Sequence, residues 1–335
     1  MSPLLRLRAA GPGVTLQDAG RYGYLRFGVT PAGPMDTESF LAATRVAGAL
    51  AAIEVSLGGV ELTAEDSAIG LAIAGGAFDA RLDGRALPCA AALTLQPGAS
   101  LTLRAGAAGA FAYVAPFGRF DLPLVLGSLA THTRAGLGGL GGRGLVAGDA
   151  LPIAEARPGP AAPMTICAPW LSRSNEKFRV LLGPQDDYFS REAIETFLAA
   201  RWRLSARSDR MAYRLEGPPI KAARGHDIVS DGLAFGAIQI PGDGAPLVLM
   251  ADRQPTGGYP KIAHVIGADL PALAQLRPGA ELGFRAVSWE EAVEARALRA
   301  KALVEGARLE PLAPELTSEF LLGRNLVGGV SDGAD

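Results

Sequence analysis

The stretch from Ala92 to Arg104, Ala-Leu-Thr-Leu-Gln-Pro-Gly-Ala-Ser-Leu-Thr-Leu-Arg, places two short apolar runs on either side of a proline-glycine turn. Runs of this length bounded by turn residues predict β-strands. The pattern continues in both directions between Val60 and Pro116. The predicted strands are Val60–Leu62, Ala68–Ala74, Phe78–Leu82, Ala92–Leu95, Leu101–Arg104 and Phe111–Ala115. Many short strands at this spacing predict a β-sandwich or barrel.

The second half of the chain repeats landmarks of the first. Leu95 to Arg104 is echoed by Leu276 to Arg285, and Gly33-Pro34-Met35-Asp36 is echoed by Gly183-Pro184-Gln185-Asp186. Each Gly-Pro segment precedes a predicted helix that begins with a capping residue. The first helix is capped by Asp36 and the second by Ser190, with apolar faces formed by Phe40, Leu41, Ala43, Ala47 and Leu50 and by Ile194, Phe197, Leu198 and Trp202. The repeat predicts a duplicated β-rich unit with one helix per copy, although turn chemistry recurring by chance is an alternative.

These patterns predict a mainly β protein with a few helices, of the α+β class. A proline-rich segment between residues 154 and 175 marks the boundary between halves. We therefore predict β-domains at residues 1–160 and 161–287, followed by a C-terminal helix and tail at 288–335. Ser288 and Glu291 form a capping box that opens a helix to about Leu309. In the first domain, Ile53 to Leu57 alternates as a half-buried strand does, with Glu54 facing away from the apolar side chains.

Composition excludes several classes of function. The chain has 335 residues, and its 32 basic and 34 acidic residues leave a net charge of −2, which argues against a nucleic-acid surface. Two cysteines suit a reducing compartment, and three histidines without ligand spacing predict no metal site. The sequence lacks a signal-peptide pattern and an apolar run of about 18 residues, so we expect a cytoplasmic protein that does not enter a membrane.

The most polar loop candidate is Met250 to Ala263, between apolar runs that predict strands at Pro246–Met250 and Ile262–Ile266. Gly257-Gly258 removes the Cβ atoms that keep backbone amides away from a ligand. Side-chain donors and acceptors come from Asp252, Gln254, Thr256, Tyr259 and Lys261. The segment is either a ligand-binding loop or an ordinary hairpin turn.

Further candidates are arginines. Alternation in Ser208 to Leu215 predicts a strand with Arg210, Ala212 and Arg214 on one face, where two guanidiniums could hold a carboxylate. The alternative is a surface ion pair with Asp209 and Glu216. Gln239 is expected on a strand beside Asp252.

A glycine-rich segment at residues 136–141 is spelled GxGxxG but is not followed by a helix pattern. A dinucleotide-binding fingerprint needs that helix, so a Rossmann interpretation is disfavoured. Ligand contact through the backbone amides of the segment stays open.

Several motifs, in order along the chain, resemble the biotin-dependent carboxyltransferase family, which includes the KipA-like C subunit of 5-oxoprolinase, allophanate hydrolase subunit 2 and the carboxyltransferase domain of urea carboxylase. They span about Val14 to Arg285 and are Gln17-Asp18-Ala19-Gly20-Arg21, Gly33-Pro34-Met35-Asp36, Glu54-Val55-Ser56-Leu57-Gly58-Gly59, Gly138-Gly139-Leu140-Gly141-Gly142-Arg143, Ser208-Asp209-Arg210-Met211 and Asp252-Arg253-Gln254-Pro255-Thr256-Gly257-Gly258-Tyr259-Pro260. Pro255 and Ala212 stand where the family commonly has threonine and glycine. The resemblance implies two cyclophilin-like β-barrel domains.

The resemblance also implies work in a complex with two further subunits, one KipI-like and the other LamB/YcsF-like. Together they would open 5-oxoproline to glutamate, with ATP bound at a site shared with, or supplied by, the partners. The alternatives are a carboxyltransferase for urea or a related amide, or a KipA-like regulatory partner of a KipI-type protein. Biotin would need a separate carrier, because the chain has no Met-Lys-Met segment.

Residue roles follow from the same resemblance. Arg210, Gln239 and Gln254 are expected to polarise the amide oxygen or hold a carboxylate, with Asp252 orienting them. The expected substrate contacts are Ser208, Thr256, Gly257, Gly258, Tyr259, Lys261 and Arg143.

Overall fold

The computed structural model describes residues 3–171 and 177–312. In the first half the strands are β1 (Leu4–Ala10), β2 (Thr15–Asp18), β3 (Ala51–Val55), β4 (Val60–Glu65), β5 (Ile69–Gly75), β6 (Asp79–Leu82), β7 (Arg85–Leu87), β8 (Ala91–Leu95), β9 (Ser100–Arg104), β10 (Ala112–Pro116), β11 (Arg119–Phe120), β12 (Ala150–Ala154) and β13 (Met164–Cys167). The second half contributes β14 (Lys177–Leu182), β15 (Trp202–Leu204), β16 (Ala212–Glu216), β17 (Asp231–Gly232), β18 (Ala237–Gln239), β19 (Leu247–Leu249), β20 (Thr256–Gly257), β21 (Lys261–Val265), β22 (Glu281–Ala286) and β23 (Arg308–Pro311). The α-helices are α1 (Thr37–Ala47), α2 (Arg191–Ala199), α3 (Leu270–Ala274) and α4 (Trp289–Glu305).

The strands of the first half, together with β23 from the C-terminal segment, form two seven-stranded sheets. Their orders are β11-β12-β1-β4-β9-β6-β7 and β2-β3-β10-β5-β8-β13-β23. Leucine, isoleucine and valine side chains of both sheets form one buried cluster, because alternate residues of each strand point to the same face. All the strands predicted between Val60 and Pro116 are confirmed.

The second half forms a closed barrel in the order β14-β21-β18-β19-β16-β15-β22. β14 and β22 close it by pairing in parallel, from Lys177 opposite Gly283 to Val180 opposite Ala286. A separate two-stranded sheet pairs β17 with β20, which belongs to the polar loop from Met250 to Ala263. The predicted mainly β fold with few helices is therefore confirmed.

β3 is buried on both faces, so the prediction of a half-buried strand is wrong. Ile53 belongs to the core between the two sheets, while Ala52 belongs to a second cluster that includes α1 and the barrel interior. Glu54 is therefore fully buried although its side chain faces away from Ile53 and Val55. A charged residue at such a position needs partners.

Helix starts were predicted better than helix ends. Asp36, Ser190 and Ser288 cap α1, α2 and α4 as expected. Two residues predicted on apolar helix faces lie outside the helices: Leu50 lies beyond α1 and is 83% exposed, and Trp202 lies in β15. The predicted helix end at about Leu309 is also wrong, because α4 ends at Glu305 and Leu309 lies in β23.

The C-terminal segments return to the first half. Arg299 of α4 pairs with the Glu38 carboxylate of α1, and β23 pairs with β13. The boundaries at residues 160 and 287 stay a prediction, and the tail from residue 313 lies outside the described residues. None of the described helices is long and apolar enough to cross a membrane.

Candidate functional site

Arg210 lies at the junction of the two halves, in the bend before β16. Its Nε and Nη2 donate to the two Asp252 carboxylate oxygens, each at 2.9 Å. Nη2 also donates to the Gly33 carbonyl at 2.7 Å, and Nη1 donates to the Glu54 carboxylate. One arginine of the second half thus binds two carboxylates and a carbonyl that come from both halves.

Glu54 is the first-half anchor of this cluster. Besides Arg210, its carboxylate accepts from the Met35 amide at 2.9 Å and from the Tyr113 hydroxyl at 2.8 Å. The Tyr113 oxygen in turn accepts from the Asp36 amide at 2.8 Å. The network therefore ties β3 and β10 to the start of α1.

Burial and charge act against each other in the cluster. Burial raises the pKa of Glu54, and the Asp252 carboxylate adds to this, while Arg210 and the two hydrogen-bond donors lower it. Burial alone would lower the pKa of Arg210, but the Asp252 and Glu54 carboxylates hold it above its ordinary value. Arg210 is therefore permanently charged, and it pairs with both buried carboxylates.

Gln275 forms a second bridge across the junction. Its amide nitrogen donates to Asp36 at 2.7 Å and to the Phe111 carbonyl at 2.9 Å. Its amide oxygen accepts from the backbone N–H groups of Ala110 at 2.8 Å and Phe111 at 3.0 Å. One side chain after α3 thereby fixes both the α1 cap and the start of β10.

The polar loop from Met250 to Ala263 lies between β19 and β21, as predicted. It is more than a hairpin turn, because Thr256 and Gly257 pair with β17. Gln239, on β18, donates to the Tyr259 carbonyl at 3.2 Å. Asp252 lies beyond the end of β19, so it does not sit on a strand adjacent to Gln239.

Lys261 is 1% exposed, and its Nζ donates to Asp231 at 2.6 Å. The Lys261 pairing lowers the pKa of Asp231. Thr256 and Tyr259 are exposed, and Gly258 accepts from the Ile228 amide at 2.8 Å. The loop therefore presents two exposed side chains on a backbone held from β17, β18 and the segment around Ile228.

The prediction that Arg210 and Arg214 share a strand face is wrong, because β16 begins at Ala212. Arg214 pairs with Asp243 at 2.5 Å, and neither Arg210 nor Arg214 takes the predicted partners Asp209 or Glu216. The Ser208 hydroxyl accepts from the Arg214 amide at 3.0 Å.

Arg143 lies in the first half and donates to both carboxylate oxygens of Asp149 at 2.7 Å. The glycine-rich segment before it is a series of turns without a following helix, which confirms that it is no Rossmann fingerprint.

A cleft of about 560 Å³ opens beside the junction. Ser208, Asp209 and Arg210 line it on the polar side. The remaining walls are mostly apolar and include Leu57, Phe111, Leu204, Tyr213 and Leu276. Its size and lining are typical of a site for a small organic ligand.

Arg21, Glu54 and Tyr113 were not predicted from the sequence as site residues. Arg21 is 1% exposed, and among the described residues its Nη1 has no hydrogen-bond partner. Across the junction, Gln254 Oε1 is likewise buried and unpartnered. Two sequence features could have identified Glu54 and Arg21 as site residues. Glu54 is a charged residue within an apolar run, and Arg21 is an arginine within the motif Gln17–Arg21.

Comparisons with known proteins agree with this architecture. The chain is 38% identical over 298 residues to the C subunit of 5-oxoprolinase from Escherichia coli, which covers 88% of this chain and 94% of that protein. It is 35% identical over 290 residues to the same subunit of Haemophilus influenzae, with 84% and 91% covered. It is 33% identical over 311 residues to urea amidolyase of Saccharomyces cerevisiae, which covers 85% of this chain but 17% of that protein.

Two solved structures share the fold. The crystal structure of Kluyveromyces lactis urea amidolyase has a TM-score of 0.82 and 28% identity, and covers 95% of this chain and 21% of that chain. The urea carboxylase of the same yeast has a TM-score of 0.82 and 30% identity, with 90% and 29% covered. Residues 27–286 match the family described as carboxyltransferase domain, subdomain A and B, so the chain belongs to that family.

Proposed function

We propose that the chain is the C subunit of a 5-oxoprolinase complex, which uses ATP to open 5-oxo-L-proline to L-glutamate together with two partner subunits. The observation that carries the proposal is the 35–38% identity to relatives of that name, which are covered over 91–94% of their length. The structure adds that motif residues far apart in sequence, Gly33, Glu54, Arg210 and Asp252, meet in one buried cluster at the junction of the halves.

We propose a positioning role for this cluster. Four hydrogen bonds from Arg210 already go to Glu54, Asp252 and Gly33, which leaves little capacity for a substrate oxygen. Asp252 is held at the start of the polar loop, and Gln254 follows it with a buried, unpartnered amide oxygen. We therefore assign the substrate contacts to Gln254 and to the part of the polar loop that follows it. In that part, Gln239 donates a hydrogen bond to the Tyr259 carbonyl.

We propose that one partner is KipI-like and the other LamB/YcsF-like, and that the ATP site is shared with or supplied by them. A cytoplasmic location fits this role, in which both cysteines remain free thiols. Regulation of a KipI-type protein without catalysis is the non-enzymatic alternative.

A second candidate is carboxyl transfer to urea or a related amide, which the TM-score of 0.82 to urea carboxylase favours. Biotin would then arrive on a carrier protein and supply an activated carboxyl group. The apolar walls of the cleft fit its rings, and Leu57, Phe111 and Leu276 would hold them.

The test is 5-oxoproline-dependent ATP hydrolysis and glutamate formation by the chain alone and mixed with its co-encoded neighbours. We expect glutamate from the mixture only. Gln254→Ala should lower turnover, whereas Arg119→Ala, which removes an exposed pair with Glu155, should not.

Absence of turnover in the complete mixture would exclude the 5-oxoprolinase proposal, and biotin-dependent carboxylation of urea would be assayed next. Loop variants that change neither activity nor complex formation would favour the regulatory alternative.

A further inference from the structure

Arg21 is a buried cation that bonds to no carboxylate among the described residues of its own half. It is 1% exposed, and its Nε and Nη2 donate to the backbone carbonyls of Val125 at 3.1 Å and Ala130 at 2.7 Å. Among the described residues, its Nη1 donates to nothing. Burial lowers the pKa of Arg21, because the charge has lost water without gaining a bonded anion.

The carboxylates of Asp18 and Asp252 are hydrogen-bonded to groups other than Arg21. Asp18 accepts from the Gly20 amide at 2.9 Å, and from the Ser128 hydroxyl and the Leu129 amide, each at 2.6 Å. Asp252 is held by Arg210 through both of its oxygens. Neither carboxylate is free to turn towards Arg21 without breaking these bonds.

The backbone at Gly138 packs closely against the Arg21 guanidinium. Gly138 adopts φ +72°, and a Cβ there would lie 2.5 Å from Arg21 Nη2 and 2.1 Å from the Ala130 oxygen. Only glycine fits so near the guanidinium. The glycine-rich segment, which had no role assigned from its sequence, therefore provides the space that Arg21 occupies.

The second half adds another buried cation and an acceptor. Arg253 is 8% exposed and donates to the Leu233 carbonyl at 2.9 Å and the Met250 carbonyl at 3.4 Å, with no carboxylate bond among the described residues. The Asp252 carboxylate raises the pKa of both Arg21 and Arg253, against the larger lowering by burial. Gln254, next in sequence, has the buried, unpartnered Oε1.

We propose that Arg21 binds the carboxylate of a small ligand at this junction, with Arg253 adding positive charge and the Gln254 oxygen accepting an N–H of the ligand. An unpartnered N–H donor on a buried guanidinium and an unpartnered acceptor are complementary to a molecule that carries both an oxyanion and an N–H. Naming that ligand rests on the proposed function: 5-oxo-L-proline has its carboxylate on the carbon next to the ring nitrogen. Bicarbonate and phosphate share the oxyanion chemistry and are distinguished by the test.

The test is binding to the full chain, alone and in the mixture with its neighbours, by ligand-observed NMR and calorimetry. The probes are 5-oxoproline, 2-pyrrolidinone, which lacks the carboxylate, bicarbonate and phosphate. We expect 5-oxoproline to bind and 2-pyrrolidinone to bind about tenfold or more weakly, because a charge-assisted hydrogen bond is lost. Arg21→Met should weaken 5-oxoproline to a similar extent, and Arg21→Lys should recover part of the loss.

Arg277→Met is the matched control. Arg277 also donates to two backbone carbonyls, those of Gly109 at 2.6 Å and Gly106 at 2.8 Å, and also has a buried, unpartnered nitrogen among the described residues. The variant Arg277→Met should lower the unfolding midpoint, as Arg21→Met does. Unlike Arg21→Met, it should leave the Kd for 5-oxoproline unchanged. Equal loss of binding in both variants would show that Arg21 only supports the fold.

The other outcomes separate the two proposals. Binding of bicarbonate or phosphate through Arg21 without binding of 5-oxoproline would keep the anion site and exclude the 5-oxoprolinase assignment. Turnover of 5-oxoproline with an unchanged KM in Arg21→Met would overturn the anion site and keep the assignment. A wild-type chain that binds none of the four probes, alone or in the mixture, would overturn the anion site as well.

Discussion

Glu54→Gln is the perturbation that tests the junction most directly. Every group facing the Glu54 carboxylate is a donor: Arg210 on one oxygen, and the Met35 amide and the Tyr113 hydroxyl on the other. Glutamine keeps the shape but replaces one oxygen with an NH₂ group. Either orientation of the new amide therefore places a donor against a donor, and Arg210 loses one of its two carboxylate partners.

The expected loss is large because Glu54 is 0% exposed. Removing one partner of a buried ion pair costs about 3–5 kcal/mol. Asp252 still neutralises Arg210 in the variant, so we expect about 3 kcal/mol, near the lower end of that range. With a urea m-value of about 3 kcal/mol/M for a chain of this size, the unfolding midpoint should fall by about 1 M.

Urea unfolding followed by far-UV circular dichroism measures this loss. Glu155→Gln, which removes an exposed partner of Arg119, is the control and should leave the midpoint in place. A double-mutant cycle with Arg210→Met should show that the two losses do not add, since each removes the other's partner. Additive losses, or a midpoint for Glu54→Gln equal to that of the control, would refute the buried pair.

Three further outcomes follow from the structure. Gln275→Leu should lower the unfolding free energy by about 1–3 kcal/mol, seen in urea unfolding, since buried backbone groups lose their partners. Gly138→Ala should destabilise more than Gly136→Ala, because both have positive φ but only Gly138 has atoms within 4 Å of the added Cβ. Burial lowers the pKa of His264 below 6.5, so the unfolded state binds the proton first, and stability should fall as pH drops below about 6.5, less so in His264→Gln.

The fold was predictable where local chemistry decides it. Asp36, Ser190 and Ser288 were identified as caps from their own side chains and the positions after them, and the structure confirms all three. The end of α4 was missed because its alanine-rich composition continues past Glu305, where Gly306 and the pairing of β23 with β13 stop the helix. The pairing partner is more than 140 residues away, which no local pattern reveals.

The site was predictable as a set of segments but not as a set of contacts. The polar loop was placed between its two strands, yet the ion-pair alternative for Arg210 and Arg214 considered only neighbours in sequence, Asp209 and Glu216. The actual partner Glu54 is 156 residues away. Period-two alternation predicts which face a side chain takes, but a strand covered on both sides buries each face.

A charged residue inside an apolar strand therefore predicts an oppositely charged partner that lies far away in the sequence. Glu54 pairs with Arg210, and Arg210 also pairs with Asp252, so the counter-charge of Glu54 comes from the other half of the chain. Arg21 has no such counter-charge among the described residues, because its nearby carboxylates are already bonded and its Nη1 stays unpartnered. By the logic that explains Glu54, the missing partner of Arg21 is an anion that the protein does not itself supply, and that is the physical ground for placing a ligand there.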